Sequence, residues 1–483
     1  MSEVADSALS VRLAANTIVQ VGGGALASLI SLFTFVAVTR GLGPEAFGDF
    51  TAATVFLFIP VVLADVGLST AVLREISESP ARTEQAMRAS LPLRALISAA
   101  AVLVAIAVGM AMPFNDQTKV AILISAIGAF FTLLTLSLQP VLQAQLKMHW
   151  AASANLAGRI TTLGLTLGAL AVGFGFKSIV TAQVIGLAVT FLLHLLAVAA
   201  IVPLWPVFDV PYWRRLVAGS IVIGLAISIS LIYFRIDTVL LALLRSSEEV
   251  GLYGAAYKFI ELVVLVPAAV GISMFPPLAR FAASGDPRAA GLVQKTFDVL
   301  VAAAVPVIVL MLAYPEELLT ITAGPDYADG AVALQLLAPF ALFAFVNALF
   351  WRMALAARRD RALLVIAVFV LVLNVVLNLV FIPPYGLKAA AVITVVSEGV
   401  ITIPIVLAAR RVSRLPNLNY MPVVAAAAAA MTVAVLVLPG PAAAGAIVAG
   451  GVYAAVLLLL PGTARDVLVG DLLPAVAGAV RRR

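Results

Sequence analysis

The stretch "ISLIYFRIDTVLLALL" (Ile229–Leu244) is uncharged and largely apolar apart from Arg235 and Asp237, two residues apart near its middle. A charge at the centre of a membrane-spanning helix costs about 2.5–3.5 kcal/mol on insertion scales, so it normally faces a cavity or a partner. Whether that cost applies depends on what surrounds the stretch. The chain has 483 residues, 63% of them hydrophobic and 11% charged, with a mean hydropathy of +1.14. Average soluble domains carry roughly 25% charged residues. Apolar runs of about 20 residues recur from end to end, which is the signature of an integral membrane protein.

We read about fourteen such segments, near 12–39, 46–73, 91–112, 118–146, 150–173, 178–203, 214–244, 249–280, 290–313, 331–356, 362–382, 388–409, 420–438 and 442–460. They are long and rich in Ala and Leu, and they lack the alternation of barrel strands, so the expected class is all-α. One set of connections carries Arg12, Arg74, Arg82, Arg88, Arg94, Lys147, Arg214, Arg215 and further Arg and Lys, 22 in total, down to Arg481–Arg483. The alternate set holds only Arg40, Lys119, Lys177, Arg245 and Lys388. The positive-inside rule then places both termini in the cytoplasm. The net charge of +6 is accounted for by topology, without a nucleic-acid partner. The start, "MSEVADSALS", lacks the pattern of a signal peptide.

The expected organisation is an N-terminal six-helix lobe (1–204), an interfacial linker (205–213), a C-terminal six-helix lobe (214–415), and an extra transmembrane hairpin with a basic tail (416–483). The linker "PLWPVFDVPYWRR" is rich in Pro and Trp and suits the headgroup layer. An internal repeat supports the halves: "EAFGDFTAAT" (Glu45–Thr54) matches "EEVGLYGAAY" (Glu248–Tyr257) at an offset of about 203 residues. Six segments separate the copies, so the halves keep one orientation and are related by an axis along the membrane normal.

Four stretches carry a family resemblance: "TRGLGPEAFGDF" (Thr39–Phe50), "LADVGLSTAVLREIS" (Leu63–Ser77), "YFRIDTVLLALL" (Tyr233–Leu244) and "EEVGLYGAAYKFIELVVLVPAAVGISMFPPLAR" (Glu248–Arg280). In order and spacing the chain resembles the Wzx-type polysaccharide flippases of the multidrug/oligosaccharidyl-lipid/polysaccharide exporter superfamily. The likeness covers roughly residues 10–410, twelve segments. The last two segments depart from the common twelve-helix plan and match the fourteen of the related lipid II flippases. The resemblance implies two lobes around a central cavity. It also implies translocation of an undecaprenyl-diphosphate-linked oligosaccharide from the cytoplasmic to the periplasmic leaflet of the bacterial inner membrane by alternating access. Membrane lipids, a coupling cation (Na or H) and polysaccharide assembly proteins are the partners to expect.

Within the spans, Arg235 and Asp237 at i, i+2 on a continuous helix project about 200° apart and need separate partners. Lys258 and Glu261 of "YKFIEL" lie at matching depths, so Asp237–Lys258 and Arg235–Glu261 pairs across two helices are expected. These four either staple the helices or meet the diphosphate or a coupling ion. Arg159 in "ANLAGRITTLG" falls near mid-membrane and is the leading anion-binding candidate, the alternative being a contact to backbone carbonyls or Asn155. Asn374 and Asn378 share a helical face and are expected to line the site. Asn16, Gln20, Gln139, Gln143, Gln183, Asn347 and Glu398 are cavity linings or helix–helix glue. Asp65 and Arg74 are expected at an inner gate or as interfacial anchors.

The absence of Cys excludes disulfides and thiol chemistry, and neither His149 nor His194 sits in a metal-spaced motif. No cofactor and no metal are expected, and no P-loop supplies ATP hydrolysis. The competing readings are a drug/cation antiporter of the same superfamily and, in a different class, a membrane glycan polymerase or glycosyltransferase. The latter needs a sizeable outer loop, and the longest here has about sixteen residues (Pro315–Gly330). The expectation is therefore a transporter, not an enzyme.

Overall fold

The structure is a computed structural model that describes residues 2–284, 286–357, 359–410, 413–437 and 442–462; side chains before residue 22 are outside the description. Asn16, Gln20 and the basic tail beyond Gly462 therefore fall outside the described residues. The described chain is helical, with no strand. In a bilayer every backbone N–H and C=O must be satisfied internally, and long Ala-, Leu- and Val-rich runs do this as helices.

Each of the fourteen apolar segments is helical. α1 (Ser2–Asp65) covers the first two and is bent at Gly43, whose φ of 72° suits glycine, followed by Pro44. α2 (Leu68–Glu78), α3 (Thr83–Ala111), α4 (Asp116–Ala144), α5 (Met148–Ala171) and α6 (Phe176–Ala199) follow. α7 (Val210–Tyr233) and α8 (Ile236–Leu244) together make the seventh segment, bent by 48° at the break between them. After α9 (Ser247–Ser284) and α10 (Arg288–Ala313) comes the connection Pro315–Gly330, which contains the short α11 (Pro315–Thr322). α12 (Ala331–Leu337) and α13 (Phe340–Ala356) form a second bent pair, at 46°. α14 (Asp360–Tyr385), α15 (Leu387–Ala409), α16 (Met421–Val437) and α17 (Ala442–Leu459) complete the chain. Among the described residues nine helices are long and apolar enough to span a membrane, or eleven with each bent pair taken as one span. The count falls below fourteen partly because α1 and α2 merge two segments into one, and because α16 has only 17 residues.

Contacts divide the chain into two compact units, Met1–Gly251 and Leu252–Arg483. In the first unit, Phe56, Phe114, Ile122 and Val180 join α1, α4 and α6 in one apolar core. A second core, around Leu68, Ile76, Met87, Leu138, Leu142 and Leu216, joins α2, α3, α4 and α7. In the second unit α15 packs against α13 and α14, and α10 against α13 and α16. The buried Tyr453 hydroxyl donates to the Ala302 carbonyl at 2.7 Å and fastens α17 to α10. Gln294 clamps the stretch before α16 by donating to the Asn417 carbonyl at 3.1 Å and accepting the Asn417 N–H at 2.7 Å. Both units leave many large apolar side chains exposed, such as Leu103, Phe369 and Leu436. On a membrane protein these meet lipid tails and carry no penalty.

Candidate functional site

Arg235 and Asp237 sit at the break between α7 and α8, not on a continuous helix. The assumed 200° divergence is therefore corrected: Arg235, with φ −131° and ψ −12°, is the N-cap residue of α8, and its N–H donates to the Ile232 carbonyl at 2.9 Å. Asp237 lies in the first turn of α8 and is 2% exposed. Its Oδ1 accepts the Thr238 N–H at 2.6 Å and the Thr238 hydroxyl at 3.3 Å. A helix start offers unsatisfied N–H groups and the positive end of the dipole, so a buried carboxylate is stabilised there. The Arg235 guanidinium stands 6.0 Å from the centroid of the Phe58 ring of α1, a cation–π distance. The break thus houses one charge of each sign.

Arg159 is exposed on α5. Its neighbour Gly158 fixes the helix face. A methyl group at Gly158 would collide with Thr190 and the Gly186 carbonyl of α6, and one at Gly186 would collide with Thr162 and the Gly158 carbonyl. Because this glycine crossing turns position 158 into α6, position 159, about 100° further round, points away from it.

Asp65, at the end of α1, does not pair with Arg74. Its Oδ1 accepts Arg94 Nη1 at 2.6 Å and the Ser69 hydroxyl at 2.6 Å, while Arg94 Nη2 donates to Ser69 at 2.7 Å. The Arg94 side chain is 3% exposed. Sequence reading had counted Arg94 among the loop cations, because the apolar run begins at Leu91. α3 in fact starts eight residues earlier, at Thr83, and buries Arg94 in its interior. Arg74 is exposed and pairs with Glu78 at 2.8 Å on its own helix, a surface ion pair of small energetic weight. Nearby, Gly67 (φ 70°) and Gly224 bring α2 and α7 into backbone contact, and Tyr212 donates to Glu75 at 2.9 Å.

The structure also assembles a cluster that sequence reasoning missed. Asp49, 1% exposed, accepts Asn115 Nδ2 at 2.8 Å, the Thr118 hydroxyl at 2.7 Å and the Ser247 hydroxyl at 2.5 Å. Asn115 also caps α4, its Oδ1 accepting the Thr118 N–H at 2.7 Å. Asp49 lies inside the first copy of the repeat, and its charge between Phe47 and Phe50 was the available signal. Beside it the two repeat copies meet reciprocally. A methyl at Gly48 would fall on the Ser247 carbonyl, and a methyl at Gly251 on the Pro44 carbonyl. The 203-residue offset exchanges the two pairings, carrying Pro44 to Ser247 and Gly48 to Gly251.

In the second unit, Lys258 donates to Glu261 at 2.7 Å, an i, i+3 pair on α9 itself that the cross-helix scheme had not included. Both side chains are about a quarter exposed. Asn374 and Asn378 do share a face of α14, buried against α15. Asn378 Nδ2 donates to the Asn374 carbonyl and to its Oδ1, each at 2.8 Å, and Asn374 Nδ2 donates to the Ser397 hydroxyl at 3.2 Å. Alongside, Asn347 Nδ2 donates to the carboxylate and the backbone carbonyl of Glu398, each at 3.0 Å. The Oδ1 atoms of Asn347 and Asn378 are buried with no hydrogen-bond donor. No cluster of three His, Cys, Asp or Glu able to hold a metal is present among the described residues.

Long apolar helices, two bent pairs among them, a break that holds one charge of each sign and apolar outer surfaces define a multi-span membrane protein. Comparison with known proteins gives the family. The family described as "Polysaccharide biosynthesis protein" matches residues 13–282, more than half of the chain, and the MatE family matches residues 223–380. The chain belongs to the polysaccharide biosynthesis protein family, and like its flippase and transporter relatives it is not an enzyme. It is 22% identical over 378 residues, 77% of each chain, to the "Probable low-salt glycan biosynthesis flippase Agl15" of Haloferax volcanii. In fold it is similar to the lipid II flippase MurJ in an inward closed conformation, with a TM-score of 0.77, 14% identity, and coverage of 94% of this chain and 100% of that one. An inward-facing multidrug resistance MATE transporter aligns with a TM-score of 0.63, 18% identity, and coverage of 82% and 98%.

Proposed function

We infer that this protein is a flippase that moves an undecaprenyl-diphosphate-linked oligosaccharide from the cytoplasmic to the outer leaflet of the bacterial inner membrane by alternating access, supplying cell-surface polysaccharide export. The observation that carries this reading is the exposed Arg159 in the interior of α5, in a chain of the polysaccharide biosynthesis family. A diphosphate crossing a low-dielectric slab needs fixed cations, and a guanidinium donates paired hydrogen bonds to phosphate. Arg235, Asp237, Lys258, Glu261, Asn374 and Asn378 complete the proposed substrate path, with Asp65 and Arg74 at its inner end. In this reading residues 1–204 and 214–415 are the two six-helix lobes, 205–213 their linker and 416–483 an accessory hairpin and tail, with both termini cytoplasmic. The buried Glu398 carboxylate and the donorless Oδ1 atoms of Asn347 and Asn378 support a coupling cation, Na or H. Assembly proteins of the polysaccharide are the expected partners.

The test is whether depletion of the protein traps lipid-linked oligosaccharide on the cytoplasmic leaflet. Unchanged leaflet distribution would refute the assignment. The match of residues 223–380 to the MatE family favours one second reading, a drug/cation antiporter. That reading requires drug accumulation to rise on depletion while the glycan lipid distributes normally.

A further inference from the structure

The connection between α6 and α7 is held more firmly than a linker requires. The Val207 N–H donates to the Arg88 carbonyl at 2.9 Å, and Arg88 Nε donates to the Trp205 carbonyl at 3.1 Å. Trp213 Nε1 donates to the Ala89 carbonyl at 2.7 Å, and Asp209 caps α7 through the Tyr212 N–H at 2.9 Å. These anchors hold Trp205 and Phe208 outward, 77% and 71% exposed. Phe208 packs edge-on to Trp213 at 5.9 Å. Immediately beyond lies an open crevice of about 410 Å³, lined by Val210, Trp213, Arg214, Val217 and Ala218. Its walls are apolar except for one guanidinium.

The crevice continues as a stripe. Ile221 and Leu225 follow at helical spacing on α7 and are both about two-fifths exposed. From Val210 to Leu225 the stripe runs about 22 Å along the helix, past the roughly 15 Å depth of one leaflet's hydrocarbon. The charges around the crevice mouth are mostly engaged. Glu75 accepts from Tyr212, Glu84 pairs with Arg88 at 2.9 Å, and the Asp209 carboxylate caps its helix. Arg215 lies over the Tyr212 ring at 5.6 Å. Arg214, exposed at the mouth, has no ion-pair partner among the described residues. A partnerless cation over an apolar slot at the headgroup level complements an acyl chain that ends in a phosphate.

The geometry points to a binding site for an anionic phospholipid, with one acyl chain against Val210, Trp213, Val217 and Ala218 and the phosphate on Arg214. The site is independent of what the protein carries. It bears on α7, the helix that touches α2 at Gly224 and α1 through the Ser228 hydroxyl, which donates to the Val62 carbonyl at 3.0 Å. A lipid seated there therefore presses on a helix whose contacts reach across the first unit.

Trp213 reports occupancy directly. The full chain with Trp150, Trp205 and Trp351 replaced by Phe is reconstituted in phosphatidylcholine vesicles. A minor fraction of the lipid is then replaced by brominated phosphatidylglycerol or by brominated phosphatidylcholine. Bromine on the acyl chain quenches only a tryptophan it touches. We expect phosphatidylglycerol to quench Trp213 about fivefold more effectively per mole, the preference one basic residue near the surface supplies. Arg214→Gln should abolish the preference with the emission maximum unchanged, and Arg214→Lys should keep most of it. Equal quenching by the two lipids, or a preference that survives Arg214→Gln, overturns the proposal. So does protection of Trp213 by added polyprenyl diphosphate in place of phosphatidylglycerol, since the occupant would then be the carrier lipid.

Discussion

Replacing Asp65 by Asn removes the carboxylate charge from a guanidinium that has almost no water. Arg94 is 3% exposed and cannot shed its proton, whereas Asp65 is 24% exposed and also accepts from Ser69. At a charge separation of about 4 Å and an effective dielectric near 20, the attraction between the two is about 4 kcal/mol. Asp65→Asn should therefore destabilise the protein by about 3–5 kcal/mol, the cost of an uncompensated buried charge. Arg94→Gln should cost less, about 1–3 kcal/mol, because the stranded carboxylate still has a hydroxyl donor and partial access to water. The double variant removes both charges and keeps two amides that can hydrogen-bond. Its loss should fall short of the sum by about 3 kcal/mol. The measurement is reversible unfolding in mixed micelles for the four members of the cycle. Additivity within about 0.5 kcal/mol would show that the pair is not coupled and that Arg94 is neutralised by something else.

Arg159→Gln should lose most glycan-lipid flux at normal protein abundance, and Arg159→Lys should retain part of it; normal flux in Arg159→Gln would remove the residue from the mechanism. Gly48→Ala and Gly251→Ala should each destabilise by a similar amount, about 1–3 kcal/mol, because each methyl meets a carbonyl. Gly164→Ala, which meets nothing within 4 Å, should be neutral or gain up to about 1 kcal/mol in melting comparisons; a loss confined to only one of the two contact glycines would contradict the reciprocal contact. In the Cys-free chain, a Cys at Asp329 should react with an impermeant thiol reagent in intact cells and a Cys at Ser284 should not; the reverse pattern would invert the orientation. Lys258→Ala should be partly rescued by Glu261→Ala in a transport assay, since removing both charges costs less than stranding one; full additivity would dissolve the i, i+3 pair.

The helical membrane class was legible because apolar runs of spanning length leave the backbone one solution, and the repeat was legible because its glycines are needed for contact. The break at Phe234–Arg235 was not, since "YFRID" contains neither Pro nor Gly. Arg235 and Asp237 lie at it, so the two charges were its mark in the sequence. Asp49 and Arg94 escaped because their partners are distant in sequence: Asn115 and Ser247 for one, Asp65 for the other. The Lys258–Glu261 pair was within reach of spacing alone, but depth matching drew attention to the neighbouring helix. Asn374 and Asn378 were legible as one face. What that face meets, Ser397 of α15, depends on packing that no local pattern encodes.

The contact at Gly48 and Gly251 has the form of an isologous dimer interface. Position 48 of one copy meets residue 247 of the other, and position 251 meets residue 44, as the same surface does on both partners of a two-fold pair. The side chains beside it differ: Asp49 corresponds to Leu252, so only one copy contributes the carboxylate that binds Asn115, Thr118 and Ser247. The glycines are alike at both positions, and each accommodates a carbonyl of the facing segment. The backbone contact is thus reciprocal, whereas the polar lock beside it is one-sided: its carboxylate comes from the first copy alone, and Ser247, just before the second, supplies only a hydroxyl.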